Sequence, residues 1–194
     1  MPVADEKMLE KYSNLYLEII MRYRDYIEEE ETLYVAELPT LVTPEDESVL
    51  SQVKSIRSMF AFYNYNEDFL SAAREAQYYV RDQISTVSLP IQFWLRPGQT
   101  LRLEAGDAFD KAVLLCTMLV SLGNVTSKVI TKIMDSEKKF YVYCEFAGKV
   151  LLFDVESPAR EFADRDAMLS ELGIGRDESV TAYEFNDKMY NNLA

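Results

Sequence analysis

The chain has 194 residues, with 33 acids against 20 bases, two cysteines and no histidine. That length suits one domain with an appended element, able to bury enough apolar surface to fold without a disulfide or metal staple. The net charge of −13 sets phosphate backbones and anionic lipid aside as partners, and the missing histidine excludes imidazole as base or ligand.

Residues 5–31 carry Met8, Tyr12, Leu15, Tyr16, Ile19, Tyr23, Tyr26 and Ile27 at three- and four-residue steps, which predicts one amphipathic helix. Residues 1–50 hold 13 acids and 4 bases, and Glu28–Glu31 sets four carboxylates where the helix dipole disfavours them. Fraying is expected there. Solubility is the plain use of such charge, and a basic partner the alternative. Residues 1–38 are therefore taken as an acidic N-terminal helical region, with Pro39 and Pro44 bracketing an extended connector.

Thr43-Pro44-Glu45-Asp46 reads as a helix start: a hydroxyl cap, proline in the first turn, and two acids complementing the dipole. That helix runs to about Tyr63, with Val49, Val53, Ile56 and Phe60 on one face. Asn66 caps a third helix reaching about Ser85. Ile91–Gly98 is a short aromatic segment ending in a turn at Arg96-Pro97-Gly98.

Gly106-Asp107 opens an apolar helix over 108–122, and Gly123 ends it in the left-handed conformation. Strands follow at Val125–Met134, Phe140–Phe146 and Val150–Asp154, the last two joined by Ala147-Gly148-Lys149. Ser157-Pro158 starts a final helix to about Leu172. Ser179–Phe185 is a further strand before a polar tail. The expected class is α+β, a central helix against a small antiparallel sheet, preceded by a helical N-terminal region.

Three segments then resemble the transglutaminase-like family. They are Gly106-Asp107-Ala108-Phe109-Asp110 at a helix start, Tyr141-Val142-Tyr143-Cys144-Glu145 in a strand, and Leu151-Leu152-Phe153-Asp154 closing the next. Phe93-Trp94-Leu95-Arg96-Pro97 also resembles a segment upstream of the cysteine in archaeal and bacterial members. The resemblance covers residues 91–157 well and 66–90 loosely. It implies a papain-like fold for residues 39–194, and a Cys-His-Asp site for acyl transfer or amide hydrolysis.

In such a site a cysteine at a helix N-terminus is acidified by the dipole, a histidine takes its proton, and an aspartate orients the imidazole. Here Ala108 stands at the cysteine position, Tyr141 aligns with the histidine, and only Asp154 is retained. A tyrosine with an ordinary pKa of about 10 is a poor base near neutral pH. An engineered Cys-to-Ala change would account for Ala108 but leave the histidine in place, whereas natural degeneration accounts for both. The resemblance thus implies an inactive site, with Trp94, Asp107, Tyr143 and Glu145 edging its cleft.

Neither cysteine replaces the nucleophile. Cys116 lies about 12 Å along the helix from Ala108 on its apolar face, and Cys144 alternates into a strand's apolar side. Both read as reduced core thiols of a cytoplasmic protein. Carboxylates at Glu28–Glu31, Glu45–Glu47 and Asp164/Asp166 lack calcium-loop spacing, so no metal and no cofactor is expected.

The expected function is a non-catalytic module that binds a protein or peptide segment. Two alternatives stand beside it. One is an enzyme using Asp154 and Glu145 as a carboxylate pair, provided that hairpin register puts them on one face. The other is a structural fold whose N-terminal helix pairs with a second copy.

Overall fold

The computed structural model describes residues 3–30, 35–88, 91, 93–155, 157–175 and 179–193. The chain divides into two compact units, Met1–Thr32 with Ser88–Trp94, and Leu33–Val87 with Leu95–Ala194. Among the described residues no helix is long and apolar enough to cross a membrane.

The smaller unit carries α1 (Val3–Arg22) and α2 (Arg24–Glu30). The single helix expected over 5–31 is broken at Tyr23, whose N–H is shared between the carbonyls of Ile19 and Ile20. Its end at Glu31 lies outside the described residues. The apolar stripe is exposed: Tyr12 and Leu15 are 50% exposed and Tyr16 is 61% exposed, with Tyr12 stacked on Tyr16.

The larger unit begins earlier than residue 39. A 3-10 helix over Val35–Leu41 replaces the extended connector, and it buries Leu38 and Leu41. Helix α3 (Glu47–Arg57) starts at Asp46, whose carboxylate accepts the N–H groups of Ser48 and Val49, so Thr43 is not the cap. Thr43 Oγ1 is buried with no hydrogen-bond partner among the described residues, and Asp46 N–H donates to the Thr43 carbonyl.

Helix α3 stops at Arg57, not Tyr63, and the segment after it is pinned to the end of the central helix. Arg57 donates to the Ser121 carbonyl at 2.6 Å and Tyr63 to that of Leu122 at 2.9 Å. Helix α4 (Tyr65–Gln83) is capped by Asn64 rather than Asn66, whose N–H the Asn64 side chain accepts. Beyond it, β1 (Ser85–Thr86) pairs in parallel with β2 (Ala105–Gly106). The expected turn at 96–98 is instead the start of α5 (Pro97–Leu103), with proline in the first turn where its missing N–H costs nothing.

Helix α6 (Ala108–Ser121) is mostly apolar and is buried from Phe109 through Leu119. Gly123 follows at φ +112°, as the sequence requires. The sheet comprises β3 (Lys128–Met134), β4 (Glu137–Phe146), β5 (Lys149–Asp154), β6 (Arg160–Phe162), β7 (Thr181–Phe185) and β8 (Tyr190–Asn192). Its order is β6-β5-β4-β3-β7-β8, and every pairing is antiparallel. The last expected helix is thus two elements: residues near Ser157-Pro158 lead to β6, and Asp164 caps α7 (Arg165–Glu171). The tail is not free either, since β8 pairs with β7.

The pleat gives the sheet two covered faces. Phe140, Val142, Cys144 and Phe146 alternate toward α6 and α4, where Phe140 meets Phe109 at 5.3 Å and Phe146 meets Phe69 at 4.9 Å. On the other face Ile130, Tyr143, Val150 and Leu152 form a second core with Met168 and Leu172 around α7, and Tyr141 packs against it.

Candidate functional site

The site is built at the N-terminus of α6. Asp107 is its N-cap and Asp110 completes a reciprocal box: Asp110 N–H donates to Asp107 at 2.8 Å, and Asp107 N–H to Asp110 at 3.0 Å. The second Asp110 oxygen accepts the N–H of Leu95 at 2.8 Å, which ties the incoming segment to the helix start. Gly106 is required by this closeness, since a Cβ there would lie 2.9 Å from Asp110 Cβ. Burial, and then the neighbouring Asp107 charge, push the Asp110 carboxyl up to about 6 against the two amides that favour its anion.

The next residue, Lys111, is also buried. Its ammonium donates to the Ile84 carbonyl at 2.9 Å and to Thr86 Oγ1 at 3.1 Å, which docks the end of α4 and β1 on α6. Asp110 and Lys111 therefore serve architecture: they hold Ala108 at the surface of a rigid, capped helix end.

Ala108 opens onto a cleft of ≈ 290 Å³, lined also by Glu137, Lys138, Lys139, Phe140, Tyr141, Asp154 and Val155. The three positions matched to the family triad thus share one cleft. Tyr141 and Asp154 are direct cross-strand partners, so they lie on one face of the hairpin. Burial, and then the Asp154 carboxylate, raise the Tyr141 hydroxyl above its ordinary pKa, which keeps it protonated. The strand's contact with α6 is made by Phe140, however, while Tyr141 leans on the α7 core. Tyr141, the residue at the family's histidine position, therefore stands on the sheet face away from α6.

Of the other residues expected at the cleft, Asp107 is occupied as a cap. Tyr143 is 1% exposed and donates to Glu184 at 2.6 Å on the α7 face, so it lines no cleft here. Glu145 is exposed and lines a separate hollow with Ala147–Val150 and Arg165. Trp94 is half-buried in the smaller unit. Register removes the carboxylate-pair enzyme: Asp154 sits opposite Tyr141 and Glu145 opposite Val150, four residues apart, which is about 14 Å along the strand. A proton relay needs hydrogen-bond or one-water reach.

Neither thiol compensates. Both are fully buried, and burial raises the Cys116 thiol strongly and pushes that of Cys144 up to about 12.

One cluster escaped the sequence reading. Glu184, 1% exposed, accepts from Tyr143 at 2.6 Å, Lys128 at 2.9 Å, Arg165 at 3.0 Å and Asn191 at 3.1 Å. Burial alone would raise this carboxyl, but the four donors outweigh it and hold it down at about 2. The only signal in the sequence was a lone acid inside the apolar strand Thr181–Phe185. Phe140 and Lys138, which line the cleft, were missed because a strand's facing cannot be read without its register.

No family model matches the chain, and no curated protein matches it. Among solved structures it is similar to a candidate protease from Parabacteroides distasonis, with TM-score 0.51 and 15% identity over 80% of this chain. It spans 30% of that protein's length. Calcium-bound LapG of Legionella pneumophila is similar at TM-score 0.43 and 13% identity, over 75% of this chain and 87% of LapG. The first likeness shows a shared α+β fold with an antiparallel sheet, and no more than the fold.

Proposed function

We propose that the chain is a non-catalytic module that binds a protein or peptide segment on a transglutaminase-like, papain-like scaffold. The observation that carries this reading is Ala108: a methyl group stands at the capped start of α6, facing the cleft where such a scaffold places its thiol. The absence of any histidine supports it, as does the burial of both thiols. The likeness to a candidate protease supports a cleft suited to polypeptide, and with the reagents gone, binding is what such a cleft still offers. Incubation with glutamine-bearing peptides and simple amides tests it. No turnover is expected. Turnover that disappears on changing Tyr141 or Asp154 would overturn the reading.

A second reading concerns the smaller unit and has its own support. Leu9, Tyr12, Tyr16 and Ile19 of α1 recur at alternating three- and four-residue steps and are all exposed, the pattern of a coiled-coil seam. This helix pairs with a second copy of the chain. Removal of residues 1–32 should lower the mass in solution, and an unchanged mass would rule the pairing out.

A further inference from the structure

The cleft beside Ala108 has a second property that comes from strand lengths. Strand β4 has ten residues and β5 has six. On its β3 side β4 is paired from Glu137 to Tyr143, but on its β5 side pairing covers only Tyr141–Phe146. Among the described residues, no strand pairs with Glu137–Phe140 on that side. The lane of β5 simply ends at Asp154, and the chain returns as β6 along the far edge of β5.

A four-residue stretch in the middle of a sheet is thus an open edge. In an antiparallel ladder alternate residues point both N–H and C=O to one side, so two of these four present their backbone groups outward. An incoming strand can form about four main-chain hydrogen bonds there. The residues lining the cleft trace this vacant lane: Glu137 to Tyr141 along its side, Asp154 and Val155 at its end, and Ala108 on the α6 wall. The sheet's two outer edges, by contrast, are three-residue strands, which offer little to pair with.

Charge decides between a second copy and a foreign strand. Two copies pairing antiparallel about the centre of this edge would set Lys138 of each opposite Lys139 of the other, and like charges directly opposite are destabilising. Lys139 has Glu137 as an ion-pair partner at 3.5 Å, whereas no carboxylate pairs with Lys138 among the described residues. Alternation puts Lys138 on the same face as Phe140, toward α6. The edge repels itself, and Lys138 is left without a paired carboxylate among the described residues.

We infer that this cleft takes an extended, acidic peptide segment of another protein, added as a strand beside Glu137–Phe140 with carboxylates opposite Lys138 and Lys139. The inference rests on the reading of the cleft as a polypeptide-binding site and specifies how and what it binds.

Three acetylated octapeptides test it on the full chain: alternating valine and glutamate, alternating valine and lysine, and the valine–glutamate peptide N-methylated at alternate residues. The valine–glutamate peptide should bind about tenfold more tightly than its lysine counterpart: alternation sets its glutamates on one face, opposite Lys138 or Lys139, where the other peptide sets a like charge. It should also slow amide hydrogen exchange within Glu137–Phe140, and the N-methylated peptide should lose both effects. The double variant K138E/K139E, which changes exposed side chains only, should reverse the charge preference. Equal binding of the N-methylated peptide, with shifts at Ala108 and Val155 but no protection of Glu137–Phe140, would overturn strand addition while leaving a peptide-binding cleft. No response at any cleft residue to any of the three peptides would count against both.

Discussion

Asp110 and Leu95 are fifteen residues apart in the chain, and a 2.8 Å hydrogen bond from the Leu95 N–H to the Asp110 carboxylate joins them at the start of α6. The same carboxylate accepts the N–H of Asp107, the N-cap of α6, so one buried acid fixes both the helix start and the segment leading into it.

Burial of this acid, with the Asp107 charge beside it, makes its contribution to stability fall as pH rises. The Asp110 carboxyl sits at about 6 in the folded chain, above its ordinary 3.8, so the folded state binds the proton more tightly than the unfolded one. The contribution of this group is full below pH 4 and is lost between 4 and 6, by about 3 kcal/mol. Urea unfolding at half-unit steps from pH 4 to 7 should show that decline. Asp110→Asn should flatten it and cost about 1–3 kcal/mol, because an amide offers one acceptor where two N–H groups need one each.

Glu184 has the opposite sign. Its carboxyl is held at about 2, below the ordinary 4.5, so its contribution is present above 4.5 and lost as pH falls through 2. The two windows overlap only near pH 4 to 4.5. Glu184→Gln leaves Arg165 and Lys128 without their shared anion and should cost about 3 kcal/mol or more, read as a lowered urea midpoint at pH 7.

Gly106→Ala tests the close approach behind the cap. The added methyl would meet Asp110 Cβ at 2.9 Å and Thr100 Cγ2 at 3.2 Å, with Thr100 fully buried. A loss of about 1–3 kcal/mol in thermal or urea unfolding is expected. A neutral result would mean that the α5–α6 junction can shift to make room.

Ala108→Phe should fill the cleft with little effect on folding, since Ala108 faces the opening rather than the core. The melting temperature should stay within about 2 °C, as for surface changes generally, while binding of the valine–glutamate peptide falls at least tenfold. Ala108→Cys should bind the peptide normally and show no amidase activity, because Phe140 rather than a base meets α6 beside it.

Much of the larger unit is legible without coordinates, for local reasons. The α6 helix follows from an uninterrupted apolar run opened by Gly-Asp and closed by Gly123, and the β4–β5 hairpin from two alternating strands around Ala147-Gly148, whose φ angles of +51° and +74° suit a two-residue turn. Element boundaries were less legible where competing caps stood close together. Thr43 and Asp46 both suit an N-cap, and so do Asn64 and Asn66; burial of the neighbouring segments chose between them. The α5 helix was hidden in Arg96-Pro97-Gly98, a tripeptide that also suits a turn.

The N-terminal helix shows the limit of periodicity: it revealed an apolar face but not what the face meets, and in this chain that face is open. Glu184 shows another. A buried ion cluster draws Lys128, Tyr143, Arg165 and Asn191 from four separate elements, and no local pattern announces it.

What the residues alone determined is the chemistry: a chain without histidine, with alanine at the helix start and both cysteines in apolar runs, carries no thiol–imidazole pair in any conformation. What only tertiary structure decided is the arrangement left behind. Pairing register set Asp154 across from Tyr141 and about 14 Å from Glu145, turned Phe140 toward α6, and left four residues of β4 with no strand on their β5 side among the described residues. Register is a relation between strands, settled by which faces the helices on either side of the sheet bury, so it cannot be read from one strand's residues.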